Sequence, residues 1–147
     1  MKLAAAALLS IVTLIAPAAA RQPAAPAAVP ANDAAIQAAT AAAASWLVLA
    51  DAGNYADSWS QGASAFRGAV TQPQWTAALG SVRAPLGAVK SRKLVSNQFT
   101  RTLPGAPEGE YVVLQYQTEF ANRSGIETVV PMREQDGSWK VSGYFIQ

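Results

Sequence analysis

The chain has 147 residues, with 11 Lys and Arg against 9 Asp and Glu, and its formal net charge of +2 selects no partner class. It contains no histidine and no cysteine. That excludes Ser-His-Asp and Cys-His catalysis, histidine metal sites, a histidine pH switch and any disulfide framework.

Residues 1–20 read as a secretory signal peptide. Lys2 supplies the positive start, and residues 3–16 form an uncharged apolar run. Pro17 breaks it, and Ala18, Ala19 and Ala20 offer the small residues a signal peptidase reads. The run is shorter than the roughly 20 residues a membrane-spanning helix needs. No cysteine follows it for a lipid anchor, and no later stretch reads as long and apolar enough to span a bilayer. The expectation is cleavage near Ala20 and a soluble mature chain, periplasmic or secreted, with no membrane span.

Residues 21–32 carry Pro23, Pro26 and Pro30, a Pro/Ala-rich linker that favours extended polyproline II. A single domain is expected over residues 33–147. Its first helix should start at an Asn32 or Asp33 cap and bury Ile36, Ala39, Ala43, Leu47 and Ala50 at helical spacing. Gly53 should end it in the left-handed conformation. Asn54 starts a short second helix through Trp59, and residues 63–70 form a further turn or two. Thr71 and Gln74 have capping-box spacing, with Pro73 in the first turn. Trp75, Leu79 and Val82 then make one buried stripe, and Pro85 and Gly87 end the helix.

From Ala88 the period changes to two. Residues 89–100 read as a long strand, followed by a turn rich in Pro and Gly at residues 104–109. Residues 110–121 alternate most clearly, with Val112, Leu114, Tyr116, Thr118 and Phe120 on one face. A turn at Asn122-Arg123-Ser124-Gly125 follows; it fits a glycosylation sequon, read here as a turn only. Residues 126–133 form a third strand. Gln135-Asp136-Gly137 makes a hairpin turn, and the last strand lines Trp139, Val141, Gly143 and Phe145 on one face. Helices first and a meander second predict an α+β domain, with N-terminal helices packed on a four-stranded antiparallel sheet.

Four stretches in order, WLVLADAGNYADSW (46–59), VRAPLGAVKSRKL (82–94), PGAPEGEYVVLQY (104–116) and GSWKVSGYFI (137–146), resemble the bacterial secreted family called domain of unknown function 4019. The chain is also similar to the wider nuclear transport factor 2-like (cystatin-like) superfamily. That resemblance implies a curved sheet closed by helices into a cone, which in some members holds an enzyme pocket and in others a binding or dimerisation surface. It carries no catalytic residue to this chain.

Candidate chemistry is sparse. Asp51 and Asp57 flank a Gly-Asn-Tyr turn, where either fits a general base beside a tyrosine or a capping residue exposed to water. Tyr116, Thr118, Phe120, Trp139 and Phe145 are placed either to line a ligand cavity or to fill the core. Arg67, Arg83, Lys90, Arg92, Lys93 and Arg101 form the one marked charge asymmetry. Lys90 and Arg92 should share a strand face, with Lys93 on the other. This basic set suits an anionic ligand, or it pairs with Glu110, Glu119, Glu127 and Glu134 on neighbouring strands. Without interleaved aromatics it does not read as a nucleic-acid surface. The acids do not cluster as calcium or magnesium ligands, so no metal or cofactor is expected. Two function classes stand. One is an exported, non-enzymatic module that binds a small molecule or a protein, with Tyr116, Trp139, Arg83, Lys90 and Arg92 as binding candidates and the open sheet face as a homodimer surface. The other is a small acid–base enzyme of isomerase or dehydratase type, using an Asp or Glu and a Tyr in the cone.

Overall fold

The computed structural model describes residues 30–147, so the expected signal peptide at residues 1–20 and the first nine residues of the expected linker lie outside the described residues. Four helices precede four strands: α1 (Ala31–Asp51), α2 (Tyr55–Ser60), α3 (Ser64–Ala69) and α4 (Gln72–Arg83), then β1 (Val89–Thr100), β2 (Tyr111–Phe120), β3 (Ser124–Arg133) and β4 (Trp139–Ile146). The strands pair antiparallel in the order β1-β2-β3-β4, an α+β meander.

Helix α1 starts at Pro30 rather than at an Asn32 or Asp33 cap. The Pro30 carbonyl accepts from the Asp33 and Ala34 amides, and no side chain caps this end. Its far end closes as expected. Gly53 has φ +78°, its amide bonds the Ala50 carbonyl, and the Asn54 amide reaches the Leu49 carbonyl. This is the double-bonded left-handed cap that glycine permits. The buried stripe is Ala39, Ala43, Trp46, Leu47 and Ala50, packed on the inner sheet face. By length and composition α1 is apolar enough to cross a membrane, which corrects the expectation that no stretch beyond residue 20 reaches that threshold. In the fold it is the helix that covers the core.

Helix α4 carries the capping box read from Thr71 and Gln74. Its inward stripe differs from the expected one by a residue: Val82 is exposed and Arg83 is buried. From Trp75 and Leu79 the stripe runs on at i+8, so the inward position falls on a guanidinium.

The sheet departs from strict alternation at three places. On β1 the pairing slips at Lys90 and again at Val95. Lys90 therefore does not share the face of Arg92 as the simple period demands: Lys90 is exposed, while Arg92 and Leu94 are partly buried. On β3–β4 the pairing slips between Val130 and Pro131, leaving Ser142 as the extra residue. A proline in a central strand has no N–H for the ladder, and a bulge is where it is tolerated. The Ser142 hydroxyl donates to the Val130 carbonyl at 2.8 Å. The bulge rephases β4, so Trp139 and Val141 continue inward as Tyr144 and Ile146. Phe145, expected on the inner face, is instead 59 % exposed.

Strand β2 follows its pattern: Val112, Leu114, Tyr116, Thr118 and Phe120 are all buried. The core closes with aromatic contacts. The Trp46 ring lies 5.2 Å from Tyr144 and 6.2 Å from Trp75, and Phe66 meets Trp75 edge-on at 4.7 Å. The Trp46 indole N–H donates to the Ser58 carbonyl at 2.8 Å, fixing α2 against α1.

Candidate functional site

Charged side chains occupy one end of this core. Glu127 stands on the inner face of β3 in phase with Val129, and it is 0 % exposed. A carboxylate taken fully out of water survives only with charged partners and filled hydrogen bonds. Two arginines supply them. Arg92, paired across the ladder with Thr118, donates from Nε to Glu127 Oε2 at 2.6 Å and from Nη2 to Oε1 at 3.1 Å. Arg83, from the last turn of α4, approaches Glu127 Oε1 at 3.4 Å. Thr118 donates its hydroxyl to Oε2 at 2.5 Å, and the Tyr144 hydroxyl donates to Oε1 while accepting from Arg83 Nη1 at 2.7 Å.

Asp51, the last residue of α1, closes the cluster. It accepts from Arg83 Nη2 at 2.6 Å and from Arg92 Nη1 and Nη2 at 2.8 and 2.9 Å. The Arg83 side chain is 6 % exposed, that of Arg92 16 % and that of Asp51 29 %, so water reaches the group from the Asp51 side. Two cations face two anions, and among the described residues no buried side-chain polar atom lacks a partner. The Arg83 guanidinium also lies over the Phe120 ring, 5.8 Å from its centroid.

These contacts set the titration of each group. Burial pushes the Asp51 carboxyl up, but Arg92 and Arg83 outweigh it and hold it below its ordinary value. Burial opposes the charge on Arg92, yet its hydrogen bonds to Asp51 and Glu127 raise its pKa. Burial, reinforced by Glu127, raises the Tyr144 phenol and keeps it protonated. A carboxyl lowered in the fold stabilises it fully above the unfolded value, and that contribution is lost as pH falls through the folded one. The wild-type urea midpoint should therefore drop below about pH 4. Asp51→Asn should flatten that acid limb; equal slopes in the two proteins would remove Asp51 from the account of acid stability.

The candidates read from sequence separate in the structure. Arg83 and Arg92 meet in the cluster, and Tyr116 lies buried beside it with its phenol raised by burial and influenced by Arg92 and Glu127. Trp139 packs partly buried against the other end of the core, and Lys90 is exposed outside the cluster. Asp51 is neither a simple cap nor a free base, because both of its oxygens are bound by arginine. Asp57 stays exposed in the first turn of α2. Among the described residues Glu134 pairs with no cation: its carboxylate accepts from the Ser64 amide at 2.6 Å and hydroxyl at 2.8 Å, anchoring the start of α3 to the β3–β4 hairpin.

A second feature lies on the opposite side of the sheet. The bulge that turns Tyr144 inward turns Phe145 outward, where it joins Val113, Val130 and Met132 on the outer face. Ala65, Phe66 and Ala69 of α3 form one wall, and the β1–β2 loop from Leu103 to Pro107 forms the other. Tyr111 closes the end, its hydroxyl donating to the Pro107 carbonyl at 2.7 Å and so holding that loop. The result is an open, mainly apolar groove of about 490 Å³, within the size range of ligand sites.

A family model described as "Protein of unknown function (DUF4019)" matches residues 42–144, a span that contains every member of the charged cluster. No curated protein and no solved structure matches the chain.

Proposed function

The chain belongs to the DUF4019 family, and from that premise we propose that it is an exported, non-enzymatic binding module whose outer groove takes extended, proline-rich peptide segments. The observation that carries this reading is the division of labour between the two faces of the sheet. Inside, Glu127 and Tyr144 do converge as an acid–base pair would, and this favours the enzyme alternative. Yet the Glu127 oxygens are filled by Arg83, Arg92, Thr118 and Tyr144, and each Asp51 oxygen accepts from arginine, Oδ1 from Arg83 and Arg92 and Oδ2 from Arg92. A general base needs a free lone pair aimed at a substrate proton. Here each carboxylate is spent on holding α1, α4, β1 and β3 together.

Outside, the groove offers aromatic and aliphatic surface from Phe66, Val113, Met132 and Phe145, with the buried Tyr111 closing its end. Aromatic-lined grooves recognise polyproline II segments because such segments are already extended and lose little entropy on docking. The apolar run at residues 3–16 after Lys2 supports export, to the periplasm or outside the cell. The test is a titration with hexaproline followed by amide NMR shifts. Shifts should cluster at Ala69, Val113, Met132 and Phe145. Shifts centred on Asp51, Glu127 and Tyr144 would overturn the reading in favour of the enzyme.

A further inference from the structure

Independently of the groove reading, we infer that the free edge of β4 pairs antiparallel with β4 of a second copy of this chain, about a two-fold axis at Phe145. Gln147 and Ile126 exchange both backbone hydrogen bonds, at 2.8 and 2.9 Å. Bonded and non-bonded positions alternate along an antiparallel pair, so Phe145 and Gly143 bond to their β3 partners Thr128 and Val130. Tyr144 and Ile146 therefore aim their amides and carbonyls away from β3. Among the described residues no strand lies beyond β4, and no loop or helix backbone bonds to Tyr144 or Ile146. The cover stops just short of them, where the Ala63 amide donates to the Val141 carbonyl at 2.8 Å.

The two edges of the sheet differ. On β1, the exposed Lys90 and Lys93 and two slips in pairing guard against strand addition. Residues 141–147 (VSGYFIQ) carry no charge and no proline, and beyond Ser142 the register is regular. Beside this edge, Ala78, Leu79 and Val82 of α4 meet Tyr144 and Ile146 in an apolar cleft of about 270 Å³. Val82 is 48 % exposed there, and Phe145 is exposed on the other face.

An isologous contact needs one patch that complements itself, and this edge does so in bonds, charge and side chains. With the axis at Phe145, Tyr144 stands opposite Ile146 of the second copy, and Ile146 opposite its Tyr144. Each such pair exchanges both bonds and fills the outward groups of both residues. Phe145 then meets Phe145 of the second copy at a non-hydrogen-bonded position, where side chains approach closest, and the two exposed rings cover each other.

In the exported chain, sedimentation should show a reversible monomer–dimer equilibrium. The Tyr144 and Ile146 amides should exchange with solvent more slowly as concentration rises, while those of Gly143 and Phe145 stay protected throughout. The chain has no cysteine, so Gln147→Cys takes a nitroxide at one defined site. Mixed with isotope-labelled chain, it should broaden the Gly143 amide of the other copy. Broadening centred on β1, or on Val113 and Met132 of the outer face, overturns the inference by placing the contact elsewhere. A chain still monomeric at about millimolar concentration overturns it too. Ile146→Pro removes an amide that faces away from β3, which an edge strand tolerates, but blocks the added strand. Val82→Glu puts a carboxylate in the cleft that the second copy would have to desolvate. Each should weaken the dimer by about tenfold or more; a dimer that survives both overturns the inference. Neither residue lines the outer groove, so failure here leaves the groove reading standing.

Discussion

Glu127→Ala is expected to destabilise the protein by about 3–5 kcal/mol, read from urea unfolding at neutral pH. The cost comes from what is left behind. Arg83 and Arg92 would keep two positive charges in a site where Arg83 is 6 % exposed, with Asp51 as the one remaining carboxylate. Thr118 and Tyr144 would each lose the acceptor of their hydroxyl proton. Attraction within the cluster is not expected to be the source of net stability, since buried ion pairs seldom repay their desolvation. Combining Glu127→Leu with Arg83→Met, which leaves Arg92 opposite Asp51, should therefore cost clearly less than the sum of the two single changes. Strict additivity would show that the two side chains do not act as a unit.

Trp46→Ala should cost a comparable 3–5 kcal/mol, as large-to-small aromatic changes in cores do. Trp46 is buried on α1, touches the Tyr144 and Trp75 rings, and ties its indole to the Ser58 carbonyl. Truncation opens a cavity between α1, α4 and β4 and orphans a buried carbonyl. The same measurement on Trp46→Phe separates the two effects, because that change keeps most of the volume and loses the donor. A wild-type midpoint for Trp46→Ala would place this ring outside the core.

Where the signal is local, the fold was legible. The Thr71–Gln74 capping box, the left-handed Gly53 and the strict alternation of Val112 to Phe120 depend on neighbours in sequence, and each appears as read. The bulges were not legible. One extra residue at Lys90 and one at Ser142 reverse which side chains face inward beyond them. The one at Ser142 moves Phe145 from the expected core to the outer groove and brings Tyr144 in. Nor does helical spacing alone choose between Val82 and Arg83, because i+7 and i+8 both fall near the stripe begun by Trp75.

The charged cluster was visible only in fragments. Arg83 and Arg92 stood out as part of a basic run, and Asp51 as a carboxylate at a turn. Sequence alone presents Glu127 only as one of four acids able to pair with cations on neighbouring strands. The signal that identifies it is phase. Glu127 is in phase with Val129, Arg92 with Leu94 and Thr118 with Tyr116, all on the core side of their strands. A charged residue in step with an apolar stripe marks a buried ionic group more sharply than net charge or spacing between acids does. Apolar periodicity discards exactly those residues by treating every charge as solvent-facing.

The central claim is that the inner cluster serves architecture and the outer groove serves binding. The direct measurement is the affinity of hexaproline for Phe145→Glu and for Asp51→Asn, compared with the unaltered chain. Phe145→Glu puts a charge on an exposed groove residue and should abolish binding with little change in folding, whereas Asp51→Asn should leave binding intact. Loss of binding in Asp51→Asn, with Phe145→Glu still binding normally, would contradict the account and return the function to the charged interior.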